Sequence, residues 1–104
     1  FVSQWAPDEI AVWGAGHQAF ALLAWAGLGK RIRCVIDSAA FKQGRFTPAS
    51  GVPIVAPSVL DDGRIKAVLV MAGSYSGEIA ALIRAQYADR CHIALLCGNE
   101  IKRY

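Results

Sequence analysis

The chain has 104 residues, of which 55% are hydrophobic and 18% are charged, and its formal net charge is +3. This length accommodates one domain, and the composition is too apolar for a disordered segment. The apolar and glycine-containing run at residues 19–29 is shorter than the roughly 20 residues that a membrane-spanning helix needs, so a transmembrane span is excluded.

The basic residues are scattered rather than gathered in a stripe, which argues against nucleic-acid binding and would suit a small anionic ligand. Each of the three cysteines lies in an apolar stretch without a Cys-x-x-Cys pair, which favours buried free thiols and a reducing, cytoplasmic compartment. The two histidines are far apart without an acidic cluster between them, so no metal site is expected. Because the chain begins with Phe1, we expect residues 1–104 to be one domain cut from a longer polypeptide.

The first half of the chain alternates short apolar segments with one helical segment. Residues 9–13 are predicted to form a buried strand that ends in a tight turn at Gly14-Ala15-Gly16. From His17 to about Ala26 the sequence lacks glycine and proline and is rich in alanine and leucine, which predicts a helix. A second strand, a polar and basic loop, and a short proline-containing edge strand are predicted at residues 32–36, 38–51 and 52–55.

The second half repeats this alternation. After a brief helical turn that begins at Pro57, the almost purely apolar run at residues 67–72 is typical of a strand covered on both faces. A glycine-bounded turn then leads into a second, amphipathic helix predicted over Glu78–Tyr87. The last strand is predicted at residues 92–97, and a polar tail at residues 98–104.

This order of elements predicts an α/β fold, namely a small Rossmann-like domain with three layers. Right-handed crossovers between the strands would give a mainly parallel five-stranded sheet of order 3-2-1-4-5. The first helix is apolar on nearly all sides, from Phe20 to Leu28, so we expect a neighbouring domain or a second subunit to cover it.

The segment Gly14-Ala15-Gly16-His17-Gln18-Ala19 matches the pattern G-x-G-x-x-G/A between a predicted strand and a predicted helix. Glycines let the backbone turn sharply and approach a ligand, and the start of a helix offers unpaired N–H groups to an anion. Asp37 ends the next predicted strand, near the position of an acid that binds ribose hydroxyls. The alternative interpretation is a turn that serves packing only, with Asp37 as the cap of its loop.

Because the parallel strands end at one edge of the sheet, the turns that follow them should share a crevice. Lys42 and Arg45 are candidate phosphate ligands there, since ammonium and guanidinium groups suit phosphate oxygens; the alternative is a solvated basic loop. The polar and glycine residues predicted at this edge are Gly14, Gly16, His17, Asp37, Lys42, Arg45, Ser74, Tyr75, Ser76, Asn99 and Glu100.

The sequence offers no self-contained catalytic set. His17 has no serine or cysteine nucleophile in its sequence context, and neither a G-x-S-x-G elbow nor a P-loop motif is present. We therefore interpret His17 as a residue at the start of a helix that touches ligand or solvent, and His92 as structural. No catalytic residue is predicted, which favours a binding domain.

Three segments follow the glycine turn in order, Val35-Ile36-Asp37, Phe41-Lys42-Gln43-Gly44-Arg45-Phe46-Thr47-Pro48 and Val52-Pro53-Ile54. Together with the turn they resemble the C-terminal domain of SAM-dependent sugar C-methyltransferases. In that family a V-x-D segment, a K-Q-[GN]-R-[FY]-T-P loop and a proline-containing strand follow the turn. The resemblance runs from Ile10 to about Ile101, and the loop is its most specific element.

The resemblance implies a Rossmann-like domain that follows a separate SAM-binding domain and helps to hold a nucleotide-diphospho-sugar. S-adenosylmethionine would be bound by that other domain, so no cofactor is expected in this one. Carried over by position, Gly14, Gly16 and His17 would line the turn, and Lys42, Gln43 and Arg45 would belong to the loop of the site. The chain departs from the family pattern at residues 73–75, Gly-Ser-Tyr, where members often have a Trp-Asn dipeptide.

Three hypotheses remain open at this point. The first is the substrate-binding domain of a SAM-dependent methyltransferase that acts on a nucleotide-linked sugar or a related metabolite. The second is a stand-alone domain that binds NAD or another nucleotide and uses Asp37 to hold a ribose. The third is an architectural domain whose apolar first helix joins subunits, for example in a homodimer.

Overall fold

A computed structural model of the chain describes residues 4–14, 16–25, 28–48, 50–87, 90–97 and 100–104. Up to residue 97 its helices and strands follow one another in the predicted order. They are β1 (Ile10–Trp13), α1 (His17–Trp25), β2 (Cys34–Ile36), β3 (Ile54–Val55), β4 (Ala67–Val70), α2 (Ser76–Tyr87), β5 (His92–Cys97) and β6 (Glu100–Arg103). Short 3-10 turns at Pro7–Glu9, Leu28–Arg31, Pro57–Asp62 and Gly73–Tyr75 connect them.

The six strands form one sheet of order β3-β2-β1-β4-β5-β6. The first five strands are parallel, which confirms the predicted order 3-2-1-4-5. β6 is antiparallel to β5, with Ile101 opposite Leu96, so the prediction of a polar tail after β5 was wrong for residues 100–103. A charged edge strand takes its hydrogen bonds from its neighbour, and its own sequence carries little apolar signal.

In the described residues, α1 packs on one face of the sheet and α2 on the other, which confirms the predicted three layers. Alternate residues of a strand point to opposite faces, so Ile10 and Val12 of β1 pack on the α1 side with Leu23. Ala11 and Trp13 pack on the opposite side with Ile83 of α2. Residues 10–13 and 67–70 are buried throughout, because a central parallel strand is covered on both faces.

Two cysteines lie in this core, as expected. Cys34 and Cys91 are buried free thiols, and Sγ of Cys91 lies 3.4 Å from the carbonyl oxygen of Ile65. Burial raises the pKa of the Cys34 thiol to about 11 and also raises the pKa of Cys91. Both thiols therefore stay protonated near neutral pH. The side chain of Cys97 lies outside the described part of the structure.

The predicted start of α1 at His17 is confirmed, whereas the predicted start of α2 was too late. α2 begins two residues before the predicted start, at Ser76, whose Oγ accepts a hydrogen bond from the backbone N–H of Ala72.

In the described residues of α1, Ala19 and Leu23 are buried and Phe20 is half-buried. The expectation that a second domain or subunit covers α1 stays a prediction. No helix in the described ranges has the length and apolar character needed to cross a membrane.

Candidate functional site

The turns after β1 and β2 meet at the carboxyl edge of the sheet, as the parallel order requires. The backbone N–H of Gly14 donates to the carbonyl oxygen of Ile36 at 2.9 Å, and that of Asp37 donates to Val55 at 3.1 Å. On the other side of β1, the N–H of Met71 donates to Trp13 at 2.8 Å. The predicted residues Gly14 and Asp37 are thus adjacent at one edge.

The two glycines of the predicted turn have different surroundings. Gly14 has φ +121°, and a Cβ atom there would lie 2.5 Å from the carbonyl oxygen of Met71, so only glycine fits between the ends of β1 and β4. For a Cβ atom on Gly16, the described residues offer no neighbour within 4 Å. Gly14 is therefore required by packing, whereas Gly16 lies beside open space.

Gly16 also marks the point where α1 starts. Its carbonyl oxygen accepts a hydrogen bond from the N–H of Phe20 at 3.0 Å, one turn into the helix. The N–H groups of the first turn of a helix have no partner within the helix, so a ligand next to Gly16 would meet hydrogen-bond donors. The side chain of His17 lies outside the described part of the structure.

Asp37 is engaged within its own loop. Its Oδ1 accepts a hydrogen bond from the N–H of Ala39 at 2.8 Å, and its Oδ2 lies 3.7 Å from Nζ of Lys42. The carbonyl oxygen of Asp37 accepts a hydrogen bond from Nε2 of Gln43 at 2.9 Å. These contacts support the interpretation of Asp37 as a loop cap, and they give Gln43 a structural role. A ligand contact by either residue stays a prediction.

The basic loop is an ordered hairpin that lies along β3. The N–H of Gly44 donates to the carbonyl oxygen of Ile54, and the N–H of Ile54 donates to Arg45, at 2.9 and 2.8 Å. Nearer the tip, the buried hydroxyl of Thr47 accepts a hydrogen bond from the N–H of Val52 at 2.9 Å. The loop therefore covers the outer edge of β3 and fixes the backbone that carries the two candidate cations.

Lys42 and Arg45 line a cavity of about 320 Å³ between this loop and α1. Nε of Arg45 donates to the carbonyl oxygen of Phe41 at 3.0 Å, and Nζ of Lys42 lies 5.8 Å from the centre of the Phe41 ring. The other lining residues are mostly apolar: Phe20, Phe41, Phe46, Pro48 and Ile54. The cavity combines aromatic walls with two cationic groups.

Sequence reasoning missed the aromatic walls. Phe41 and Phe46 were noted only as parts of the loop motif, yet their side chains are 73% and 66% exposed. The available signal was the presence of two phenylalanines in a polar and basic loop that has no apolar periodicity.

The structure does not bring all predicted residues into this cavity. Tyr75 is an exposed side chain in the turn after β4, and it is not among the residues that line the cavity. Ser76 is buried and fixes the start of α2. The side chains of Ser74 and Glu100 and the whole of Asn99 lie outside the described part of the chain.

A second cavity, of about 550 Å³, lies between the 3-10 turn that precedes β4 and the end of α2, at the amino edge of the sheet. Three of its lining residues, Asp61, Tyr87 and Arg90, contact one another. The Tyr87 hydroxyl donates to Oδ1 of Asp61 at 2.6 Å, and the Arg90 guanidinium lies 5.4 Å from the centre of the Tyr87 ring. The hydrogen bond to Asp61 raises the pKa of Tyr87.

Comparison with known protein families identifies the family of the chain. Residues 3–93 match the family described as the C-methyltransferase C-terminal domain. The chain belongs to this family. The match includes the glycine turn and the whole loop from Phe41 to Pro48, and it confirms the resemblance seen in the sequence.

Solved structures agree on the fold of this C-methyltransferase C-terminal domain. The crystal structure of UDP-D-quinovosamine 4-dehydrogenase from Vibrio fischeri is similar, with a TM-score of 0.69 and 18% sequence identity. The alignment covers 95% of this chain and 94% of that chain. At this identity the likeness shows a Rossmann-like fold. No curated protein was found to match the sequence.

The described part of this C-methyltransferase domain contains no group of three or more histidine, cysteine or acidic side chains that could hold a metal ion. Among the described residues, those with a raised pKa are Cys34, Tyr87 and Cys91, and none of them lines the cavity of the basic loop. Within the described residues, the carboxyl edge thus offers binding groups: helix N–H donors, two cations and aromatic rings.

Proposed function

We propose that this domain binds the nucleotide-linked sugar, or a related phosphorylated metabolite, on which a SAM-dependent C-methyltransferase acts. S-adenosylmethionine, held by a separate domain of the same polypeptide, would supply the electrophilic methyl group. The role of the present domain would be to hold the diphosphate end of the substrate so that the acceptor carbon reaches that other domain.

The observation that carries the proposal is the placement of Lys42 and Arg45 on a braced loop beside α1. A diphosphate carries negative charge that must be matched by donors when it leaves water, and cationic side chains form the stronger, charge-assisted hydrogen bonds with it. Because the hairpin along β3 fixes the loop backbone, both cations are held near the cavity before a ligand arrives.

Gly16 supplies a second supporting feature. A backbone without a side chain lets a phosphate approach the N–H groups at the start of α1, and nothing in the described structure lies within 4 Å of the position that a Cβ atom would take. Family membership adds the reaction class, since the matching family is a domain of C-methyltransferases.

The experiment is isothermal titration calorimetry of the full-length protein that contains this chain, with UDP-glucose, dTDP-glucose and S-adenosylmethionine as probes. We expect at least one nucleotide sugar to bind. The double variant Lys42→Gln/Arg45→Gln should weaken that binding by about a hundredfold or more, because it removes two charge-assisted hydrogen bonds that contribute about 1.5–3 kcal/mol each. Binding of S-adenosylmethionine should not change.

Arg64→Gln is the matched control. Arg64 is also an exposed arginine in a loop, but it lies before β4 at the amino edge and pairs with Asp62 at 3.9 Å. Its replacement should leave nucleotide-sugar affinity unchanged. Binding of S-adenosylmethionine without binding of any nucleotide sugar would overturn the proposal.

The dinucleotide hypothesis gains no support from Asp37. A ribose-binding acid needs its carboxylate oxygens for the ribose hydroxyls, and in this structure Oδ1 already accepts a hydrogen bond from the N–H of Ala39, as in a loop cap. Titration with NADH tests the point directly, since binding would change the fluorescence of the reduced nicotinamide. A fluorescence change that disappears in Asp37→Ala would favour the dinucleotide over the sugar nucleotide.

A further inference from the structure

Two phenylalanine rings are held outside the core by an ordered backbone. Phe41 and Phe46 are 73% and 66% exposed, although burying a phenylalanine normally stabilises a fold by roughly 1.5–3 kcal/mol. Their main chains are fixed nonetheless: Phe41 accepts the hydrogen bond from Nε of Arg45, and Phe46 pairs with Pro53. Aromatic side chains that an ordered loop presents to solvent in this way suit the binding of another molecule.

The size of the cavity limits what these rings can receive. About 320 Å³ lies at the lower end of the roughly 300–1,000 Å³ that small-molecule sites span. Such a space accommodates one ring system rather than an entire nucleotide sugar. The half-buried ring of Phe20 and the buried side chain of Ile54 belong to its wall, so the interior is apolar.

The two cations at the cavity favour a flat ring system that carries negative charge. Lys42 and Arg45 share the lining with the aromatic rings, so a ring that carries an anionic group would satisfy both kinds of contact at once. The bond from Arg45 to Phe41 uses one of the five N–H donors of the guanidinium and joins that group to the main chain of a lining residue. A nucleobase joined to phosphates has this combination of a flat apolar face and negative charge.

We propose that this cavity is the binding site of the nucleobase, with the base packed among Phe20, Phe41 and Phe46. The phosphates of the same ligand would be directed to Lys42 and Arg45. The inference rests on the proposed function and assigns a separate part of the substrate to each group. Phe20 lies one helical turn after Gly16, to which its N–H is bonded, so phosphates that leave the cavity along α1 reach the open space beside Gly16.

The test compares probes with and without a base on the full-length protein. Isothermal titration with UDP, dTDP and inorganic pyrophosphate should show that a nucleoside diphosphate binds more tightly than pyrophosphate. Phe41→Ala and Phe46→Ala should each weaken nucleoside diphosphate binding by roughly tenfold, the size expected for loss of one base–aromatic contact, and leave pyrophosphate binding unchanged. Phe41→Tyr, which keeps the ring, should restore the affinity.

Leu82→Ala is the matched control, because Leu82 is another exposed apolar residue, 48% accessible, on α2. It should leave all affinities unchanged, and near-ultraviolet circular dichroism should show that each variant is folded. If nucleotides bind but the phenylalanine variants bind them normally, the cavity is not the base site and the proposed function still stands. If those variants instead loosen the contact with the rest of the polypeptide, the rings belong to a domain interface and the inference is wrong.

A third outcome separates the two proposals. Absence of binding by nucleotide sugars, nucleoside diphosphates and pyrophosphate alike would overturn the proposed function and the inference together. Equal affinity for pyrophosphate and nucleoside diphosphates would overturn only the inference, since it would show phosphate recognition without a contribution from the base.

Discussion

The cavity at the amino edge and the cavity at the basic loop differ in a way that their volumes do not predict. At the larger one, on the amino edge, the Tyr87 hydroxyl is already bonded to Asp61 and the Arg90 guanidinium lies over the Tyr87 ring. The smaller one, at the basic loop, presents exposed aromatic rings beside two cations. The exposed rings of Phe41 and Phe46 would gain contacts from a ligand, whereas the Tyr87 hydroxyl would have to give up its bond to Asp61.

At the carboxyl edge, Gly14 is tightly packed and Gly16 lies beside open space. Substitution of each glycine by alanine should distinguish the two positions. Gly14→Ala should lower the free energy of unfolding by more than about 2 kcal/mol, because its Cβ atom would lie 2.5 Å from Met71 O at φ +121°. Urea unfolding measures the change. Gly16→Ala is the control: it should leave the stability within about 1 kcal/mol of the parent while weakening nucleotide-sugar binding. Equal destabilisation by both variants would show that Gly16 also serves packing.

A substitution at the amino-edge cavity should change the stability of the domain rather than its affinity for nucleotide sugars. Tyr87→Phe removes the hydrogen bond to Asp61 and should lower the free energy of unfolding by about 1 kcal/mol, without changing the affinity for nucleotide sugars. Phe41→Ala, at the other cavity, should change the unfolding free energy by less than about 0.5 kcal/mol, because the ring is exposed. A reversed pattern in denaturant titrations would contradict the division between the two cavities.

The smallest expected effect is a dependence of stability on alkaline pH. The hydrogen bond to Asp61 raises the pKa of Tyr87 in the folded chain above its ordinary value of 10.0, so the folded state retains a proton that the unfolded state loses. This contribution is fully present below pH 10 and is lost as the pH rises through the higher, folded-state pKa. Between about pH 9 and 11, the free energy of unfolding should therefore fall less steeply with pH in Tyr87→Phe than in the parent. Parallel slopes would show that Tyr87 is not coupled to folding.

The order of the sheet could be predicted because each of the first five strands has its own apolar run and the turns between them contain glycine or proline. The segment Ala67–Val70 shows this most clearly, since burial on both faces leaves no polar residue in it. β6 could not be predicted in the same way. Its sequence, Glu-Ile-Lys-Arg, contains one apolar residue, and its hydrogen bonds depend on β5.

The site was predictable in its residue types but not in their contacts. The pattern Gly-Ala-Gly places two glycines at the turn, and only the three-dimensional position of Met71 separates the glycine required by packing from the one beside open space. Asp37 had two interpretations of similar sequence support, and the hydrogen bond from Ala39 favours the cap. Phe41 and Phe46 could have been core residues from the sequence alone, because exposure depends on how the hairpin lies against β3.

The hairpin along β3 has a consequence for the thermodynamics of recognition. A segment that must become ordered when a ligand arrives subtracts its lost conformational entropy from the affinity, whereas a loop already tied to a strand avoids most of that loss. The buried bond between Thr47 and Val52 lies away from the cations, yet it helps to keep the loop in its binding shape. Residues that never touch a substrate can in this way set how tightly it is held.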